Sequence, residues 1–343
     1  MQGYQRLPIR RGKNRGEREQ YRLQRYRSQI NRLYEEVALL DIVTLGDSVV
    51  DIIISVPRFP TENEETVYSD GMHNQLGGSS NLLIMASRLG LKTGVIDLLG
   101  DDDLAGYYIE ALEGEGVDVS RLTRLEGAQT AHCICLVDDD GNHSYIGFPG
   151  ATHSLSSEMI EPEYIAESRV LYVSGYSLTK SPIREATLKA LGIATDNDLK
   201  IYFDPSPVVE RVPPETLLEV LRNADVVLLN EREQTAINSM LPQIDLEEMC
   251  ELIVLKQGAK GCTIKQSGKH THFEGQKVTV KDTTGAGDVF NAAFIYGQLE
   301  GWSLDRSAHL ANLLAAEKIK RLGAGLNVPT REQASRMKQM VMG

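Results

Sequence analysis

Residues 200–240, KIYFDPSPVVERVPPETLLEVLRNADVVLLNEREQTAINSM, carry the same alternation twice. Residues 200–203 and 225–229 are apolar runs of strand length, and helical patterns follow each at 214–222 and 231–240. A strand, a crossover helix and a second strand make a βαβ unit, with parallel strands and helices packed on the sheet. Outward from this stretch, further apolar runs lie at 41–45, 93–99, 170–173 and 252–255. Helical patterns at 81–89, 104–115 and 182–196 separate several of them. The expected fold class is α/β, with a mainly parallel sheet covered on both faces. Ligands in such sheets sit beyond the carboxyl ends of the strands. Gly46-Asp47, Asp204-Pro205 and Asn230-Glu231 fall at those ends.

Two stretches break the alternation. Residues 65–76 and 130–148 read as extended, and Asp139-Asp140-Gly141-Asn142 between apolar-alternating flanks signals a hairpin. With residues 49–56 they would form a small antiparallel sheet standing off the body as a lid. The expected organisation is a basic extension at 1–37 and one catalytic domain at 38–335. Its lid would come from about 49–57, 65–77 and 130–148, and a short tail would close the chain at 336–343.

Composition excludes several classes. The 343 residues carry a net charge of −12, and 41% are hydrophobic, enough for a sizeable core. Residues 1–34 hold ten basic and two acidic side chains, so the remainder is near −20. An acidic body argues against nucleic acid as the main partner. The extension reads as a solvated segment, with a nucleic-acid or anionic-surface arm and, against its scarce Ser and its Glu17 and Glu19, an organelle transit peptide as the alternatives. Cys133, Cys135, Cys250 and Cys262 form no CxxC pair, which fits reduced packing thiols and a cytoplasmic compartment. No apolar run approaches a membrane span, and no signal-peptide core is visible.

The chemistry concentrates in KDTTGAGDVFNAAF, residues 281–294. Gly285, Ala286 and Gly287 make a tight turn into an amphipathic run, and one carboxylate, Asp288, follows. Glycines let backbone N–H groups crowd together, and a helix start leaves its first N–H groups unpaired. The product is an anion pocket with a base at its rim, suited to a phosphate and to the hydroxyl that attacks it. By itself GxGD also reads as a turn whose aspartate caps a helix. An ordinary aspartate, with a pKa of about 3.9, would be ionised but weak as a base. Walker-type, protein-kinase and dinucleotide phosphate signatures are absent.

Several motifs in one order resemble the ribokinase-like (pfkB-type) carbohydrate kinases from about residue 41 to 331. LGDSVVD (residues 45–51) resembles the family's first motif, where Asp51 matches a substrate-binding aspartate near the end of the first strand. Gly77-Gly78-Ser79-Ser80-Asn81 resembles the di-glycine motif, in which Gly77, Gly78 and Asn81 contact sugar hydroxyls. It is one residue shorter than the usual GGxxxN. Ser79 or Ser80 would otherwise simply cap the helix. Asn230 and Glu233 match the NxxE pattern that organises Mg²⁺ and its waters. Lys256, Gly258 and Gly261 match a turn of the nucleotide pocket, with Asn312 bordering the adenine. Residues 321–327 resemble the loop that, with Asp282 and Thr284, surrounds a monovalent cation such as K⁺ in several members.

The resemblance implies a three-layer α/β/α body with a small β-sheet lid. The activity it implies is ATP- and Mg²⁺-dependent phosphorylation of a small sugar or sugar acid of the ribose, fructose or 2-keto-3-deoxygluconate type. Asp288 would be the base. A nucleoside acceptor is the alternative, with Tyr145 and Phe148 of the lid stacking its base; a non-catalytic regulatory relative is the other. No membrane partner is expected, and exposed lid edges suggest a homodimer through the lids.

Overall fold

The computed structural model describes residues 40–63, 66–140 and 142–343. The basic extension therefore lies outside the described residues.

Nine strands form the main sheet: β1 (Leu40–Leu45), β4 (Thr93–Gly100), β5 (Asp118–Leu125), β8 (Ser168–Ser174), β9 (Lys200–Asp204), β10 (Val226–Asn230), β11 (Leu252–Lys256), β12 (Gly261–Gln266) and β13 (Lys269–Glu274). Their spatial order is β13-β12-β11-β10-β9-β8-β1-β4-β5. Every pair from β11 to β5 is parallel, and only the β11–β12–β13 edge is antiparallel. Parallel strands need crossovers, and the helices Ile183–Asp196 and Pro214–Asn223 supply them on the expected residues.

Both faces of the sheet are dry. Along β8, Val170 and Tyr172 pack into one core, Leu171 and Val173 into the other. Strand period two thus turns the continuous apolar run into two opposite faces. The helix Ala286–Leu299 joins the first core through Val289, Phe290 and Phe294.

The second sheet has the order β3-β2-β6-β7, from β2 (Ser48–Ser55), β3 (Gly71–Gly78), β6 (His132–Val137) and β7 (His143–Phe148). It is mixed rather than purely antiparallel, because β2 and β6 run parallel. Strand β3 begins at Gly71, later than the extended reading of 65–76 suggested, and residues 66–70 stay irregular. The turn at Asp138–Asn142 closes through Asn142 N–H on Asp138 Oδ1 at 2.8 Å. Residues 336–343, read as a tail, fall mostly within the helix Arg331–Met342.

The strand order reverses around β1, the crevice position of open parallel sheets. The carboxyl ends of β1, β8, β9, β10 and β11 carry Asp47, Ser174, Asp204, Asn230 and Lys256. A groove of about 720 Å³ lies at the other end of the sheet, lined by Leu40, Thr93 and Ser120 among others. No predicted site residue lines it.

Candidate active site

The turn at 285–288 is built as its residues demand. Gly285 sits at φ 73 and begins the helix Ala286–Leu299, and a Cβ there would press on the Asn81 side chain at 3.2 Å. Left-handed backbone plus close approach excludes other residues at low cost. No side chain caps this helix, and although Ala286 N–H bonds Thr283 O at 3.1 Å, the N–H groups of Gly287 and Asp288 remain available to an anion. Asp288 does not act as the cap. Its Oδ2 instead accepts from Asn81 Nδ2 at 3.0 Å.

Asp288 is also not an ordinary aspartate. Burial pushes its pKa up to about 7, Asp204 and Glu233 push the same way, and Lys256 and Asn81 oppose them. The earlier expectation of a weak, always ionised base is therefore corrected: low dielectric brings it near the pH at which a general base works best.

Asn81, expected on a sugar hydroxyl, also bonds to protein groups on both sides. Its Oδ1 accepts from Gly325 N–H at 2.7 Å, while Nδ2 donates to Asp288 and to Gly78 O at 3.2 Å. Both donor hydrogens are thus engaged, Oδ1 keeps a second lone pair, and the residue is 4% exposed. It orients Asp288. Neither serine before it caps the helix: Ser79 Oγ donates to Gly46 O at 3.2 Å and Ser80 Oγ to Gly77 O at 2.7 Å.

Asp51 stands on the lid strand β2 opposite Gln75 of β3 and Cys133 of β6. Burial raises its pKa to about 6, against a hydrogen bond with Gln75. A Cβ on Gly77 would come within 2.7 Å of the Asp51 carboxylate, so the glycine makes room for it. Gly78 is tighter still, since a Cβ would meet Asp47 O at 2.0 Å.

Register separates the two lid aromatics proposed to stack a base. Tyr145 pairs with Cys135 and shares the Asp51–Cys133 face, whereas Phe148 pairs with His132 on the opposite face and rests on its ring at 5.0 Å. Positions three apart in a strand cannot face one ligand.

Asn230 and Glu233 form a capping box. Glu233 Oε2 accepts from Asn230 N–H at 2.8 Å, Oε1 from Asn230 Nδ2 at 2.7 Å, and Asn230 Oδ1 takes Glu233 N–H at 2.9 Å. Glu233 is 4% exposed, which excludes a solvated first-turn acid. Its oxygens keep further lone pairs for waters.

Around the predicted nucleotide turn, a Cβ on Gly261 would lie 2.1 Å from Phe273 O. Asn312 Nδ2 donates to Phe273 O and Glu274 O, each at 3.2 Å, fastening the same wall. Gly258 stands at φ 57 with open space around it. Lys256 turns inward and donates to Asp204 Oδ2 at 2.8 Å.

Asp282 is spent internally. Its Oδ1 accepts Thr284 N–H at 2.9 Å and Thr284 Oγ1 at 2.7 Å, and Oδ2 accepts Gly323 N–H at 2.8 Å. The fully buried Lys318 places its ammonium 3.4 Å from Asp282 O. The Lys318 ammonium thus borders the loop expected to surround a monovalent cation.

Asp47, placed from the sequence only at a strand end, and Asp97 and Asn291, given no role from the sequence, also lie at or near this site. Asp47 has φ 64, and its pKa is raised well above the ordinary value by burial, then by Asp288 and Asp97. Asp97 anchors the lid's root, accepting from Ser48 N–H at 2.9 Å and Thr152 Oγ1 at 3.0 Å. Asn291 had a legible signal: one amide inside the apolar run of residues 289–295.

A model of the pfkB family carbohydrate kinase matches residues 39–331. A 5-dehydro-2-deoxygluconokinase of Halalkalibacterium halodurans is 29% identical over 85% of this chain and 92% of its own length. A ribokinase of Haemophilus influenzae is 28% identical over 85% and 96%. Among solved structures, a Thermotoga maritima ribokinase superimposes with a TM-score of 0.77 at 26% identity, covering 88% of this chain and all of that one. A nucleoside kinase of Methanocaldococcus jannaschii shares the fold at 20% identity, with a TM-score of 0.74 over 88% of this chain and 99% of its own. With an anion-ready helix start, a tuned carboxylate beside it and a family match across both sheets, the chain belongs to the pfkB family of carbohydrate kinases, ATP-dependent enzymes acting on small sugar-type acceptors.

Proposed function

We propose that Asp288 takes the proton of an acceptor hydroxyl as that oxygen attacks the γ-phosphorus of ATP. The hydroxyl is held under the lid by Asp51 and the backbone at Gly77-Gly78. The observation that carries this reading is the pairing of Asp288, drawn towards Asn81, with the uncapped helix start at Gly285. The N–H groups of Gly287 and Asp288 meet the phosphate oxygens, and each well-placed donor is worth roughly 3 kcal/mol of transition-state stabilisation. Alignment of hydroxyl and phosphate adds up to about 7–11 kcal/mol. Asn230, Gly258, Gly261 and Asn312 line the nucleotide side.

Among the described residues no cluster of three His, Cys, Asp or Glu side chains stands ready for a metal. That fits Mg²⁺, which arrives on phosphates and keeps its waters, with Glu233 and Asn230 holding those waters. When bound, Mg²⁺ neutralises charge on the phosphates. No step here runs through a monovalent cation.

The acceptor is a ribose-, fructose- or ketodeoxygluconate-type sugar. One observation favours a nucleoside as a second reading: Tyr145, 61% exposed, lies on the Asp51 face, where a base would stack. The exposed edge strand β7 supports a homodimer through the lids. Four free cysteines support a reducing, cytoplasmic setting.

The test is Mg·ATP-dependent ADP release with ribose, fructose, 2-keto-3-deoxygluconate, 5-dehydro-2-deoxygluconate, adenosine, inosine and pseudouridine, beside Asp288→Ala. One strong acceptor, silent in the variant, is expected. ATP binding without transfer to any of them would favour a non-catalytic relative.

A further inference from the structure

Beside the anion turn lies a polar cluster that the transfer just described does not use. Lys256, at the end of β11, reaches past the end of β10 to Asp204, at the end of β9. Its Nζ donates to Asp204 Oδ2 at 2.8 Å and to Asn291 Oδ1 at 3.3 Å. Asn291 is fully buried, and its amide donates to the same Asp204 oxygen at 2.6 Å and to Tyr172 OH at 3.0 Å. Asp204 Oδ1 takes the N–H of Ser206, a residue held at φ 61. Lys256 is thereby aimed from two sides.

An ammonium has three donors, and two are accounted for. The Nζ lies 3.7 Å from where a Cβ on Gly287 would stand, alongside the turn whose N–H groups await a phosphate. The side chain keeps 15% exposure, so it is open to a ligand. The charged groups acting on it are Asp204, Glu233 and Asp288, all carboxylates. A transferring phosphoryl group brings further negative charge to this place, and the turn supplies only dipoles.

We propose that Lys256 is a catalytic residue whose third N–H contacts the transferred phosphoryl group, and that Asp204 and Asn291 are positioning residues that aim it. The proposal rests on the phosphotransferase reading above. In the step, the acceptor oxygen bonds to the γ-phosphorus while the bond from that phosphorus to the β–γ bridging oxygen breaks. ADP leaves with the electron pair, the acceptor proton passes to Asp288, and Lys256 keeps its own proton while facing the phosphoryl oxygens.

The bland alternative is an ion pair that only ties β9 to β11. Removing one partner of a buried pair destabilises, whereas removing both is often neutral. Three variants therefore decide: Lys256→Met, Lys256→Arg and the double variant Lys256→Met/Asp204→Asn. Each is compared with wild type by thermal melting, by calorimetry with Mg·ATP and Mg·ADP, and by ADP release with the best acceptor of the panel. We expect Lys256→Met to lose about 10²–10³-fold in kcat, with the affinity for Mg·ADP changed only a few-fold and that for Mg·ATP reduced more. Lys256→Arg should restore part of the rate. The double variant should regain the melting temperature and stay slow.

A double variant that regains both stability and rate overturns the catalytic role. So does Lys256→Met with wild-type kcat, or equal losses for Mg·ATP and Mg·ADP. If wild type itself binds no Mg·ATP, the underlying kinase reading fails and this one falls with it, a result distinguishable because the variants are then not needed.

Discussion

Strand β4 of the body is buried at all eight positions, and strand β7 of the lid is exposed at all six. Both sheets were assembled by the same backbone rules, yet they do different work. The body buries two faces and so holds Asp47, Asp204, Lys256 and Asp288 in place with little freedom. The lid buries little, exposing Tyr145, Ile146 and Phe148, so its side chains are available to an acceptor or a second lid. The difference predicts that chemistry depends on the body, and acceptor choice on the lid.

The largest test of that division is Asp288→Asn, expected to lower kcat by about 10²–10⁴-fold while Mg·ATP still binds. In wild type, kcat/KM should rise with pH through about 7, as the raised carboxyl of Asp288 ionises, and this limb should vanish in the variant. A carboxyl raised on folding contributes stability that is fully present below 3.8 and lost as pH rises through about 7. The variant should therefore melt no lower than wild type at pH 8. A lowered melting temperature there would show that the ionised carboxylate supports the fold, against its burial.

Stability comes next. Phe294→Ala, fully buried in the body, should cost about 3–5 kcal/mol in denaturant unfolding. Ile146→Ser on the lid should stay within about 0.5 kcal/mol. Equal costs would erase the contrast between the sheets.

Asn81→Ala sharpens the seam between them. Loss of its bonds to Asp288 and Gly325 N–H should cost about 1–3 kcal/mol, read as a tenfold to hundredfold fall in kcat with the acceptor KM little changed. A rise in KM alone would return Asn81 to the sugar. The smallest effect concerns salt: replacing KCl with tetramethylammonium chloride should alter turnover less than twofold, because Lys318 already sits at Asp282. A steep K⁺ titration would show that the ammonium moves aside.

Much of the body was legible before any coordinates. Residues 252–255 and 225–229 read as strands because a strand buried on both faces must be apolar throughout. The NxxE spacing of Asn230 and Glu233 was legible because the two are three residues apart, but that their side chains close a capping box came only from the structure. The lid was less so: residues 65–76 looked extended, and pairing begins only at Gly71, since pairing depends on β2 and not on local pattern.

The sequence by itself determined the alternation of strands and helices, the anion turn at 285–288 and the presence of one carboxylate beside it, because each depends on residues close along the chain. Only the tertiary structure decided what those groups face. Asp204 meets Lys256 across 52 positions, and Asn81 meets Gly325 across 244. Contacts of that separation leave no periodicity to read. The same holds for Asp288, whose pKa near 7 comes from burial and neighbouring charges, properties of the space around a side chain and not of the chain that carries it.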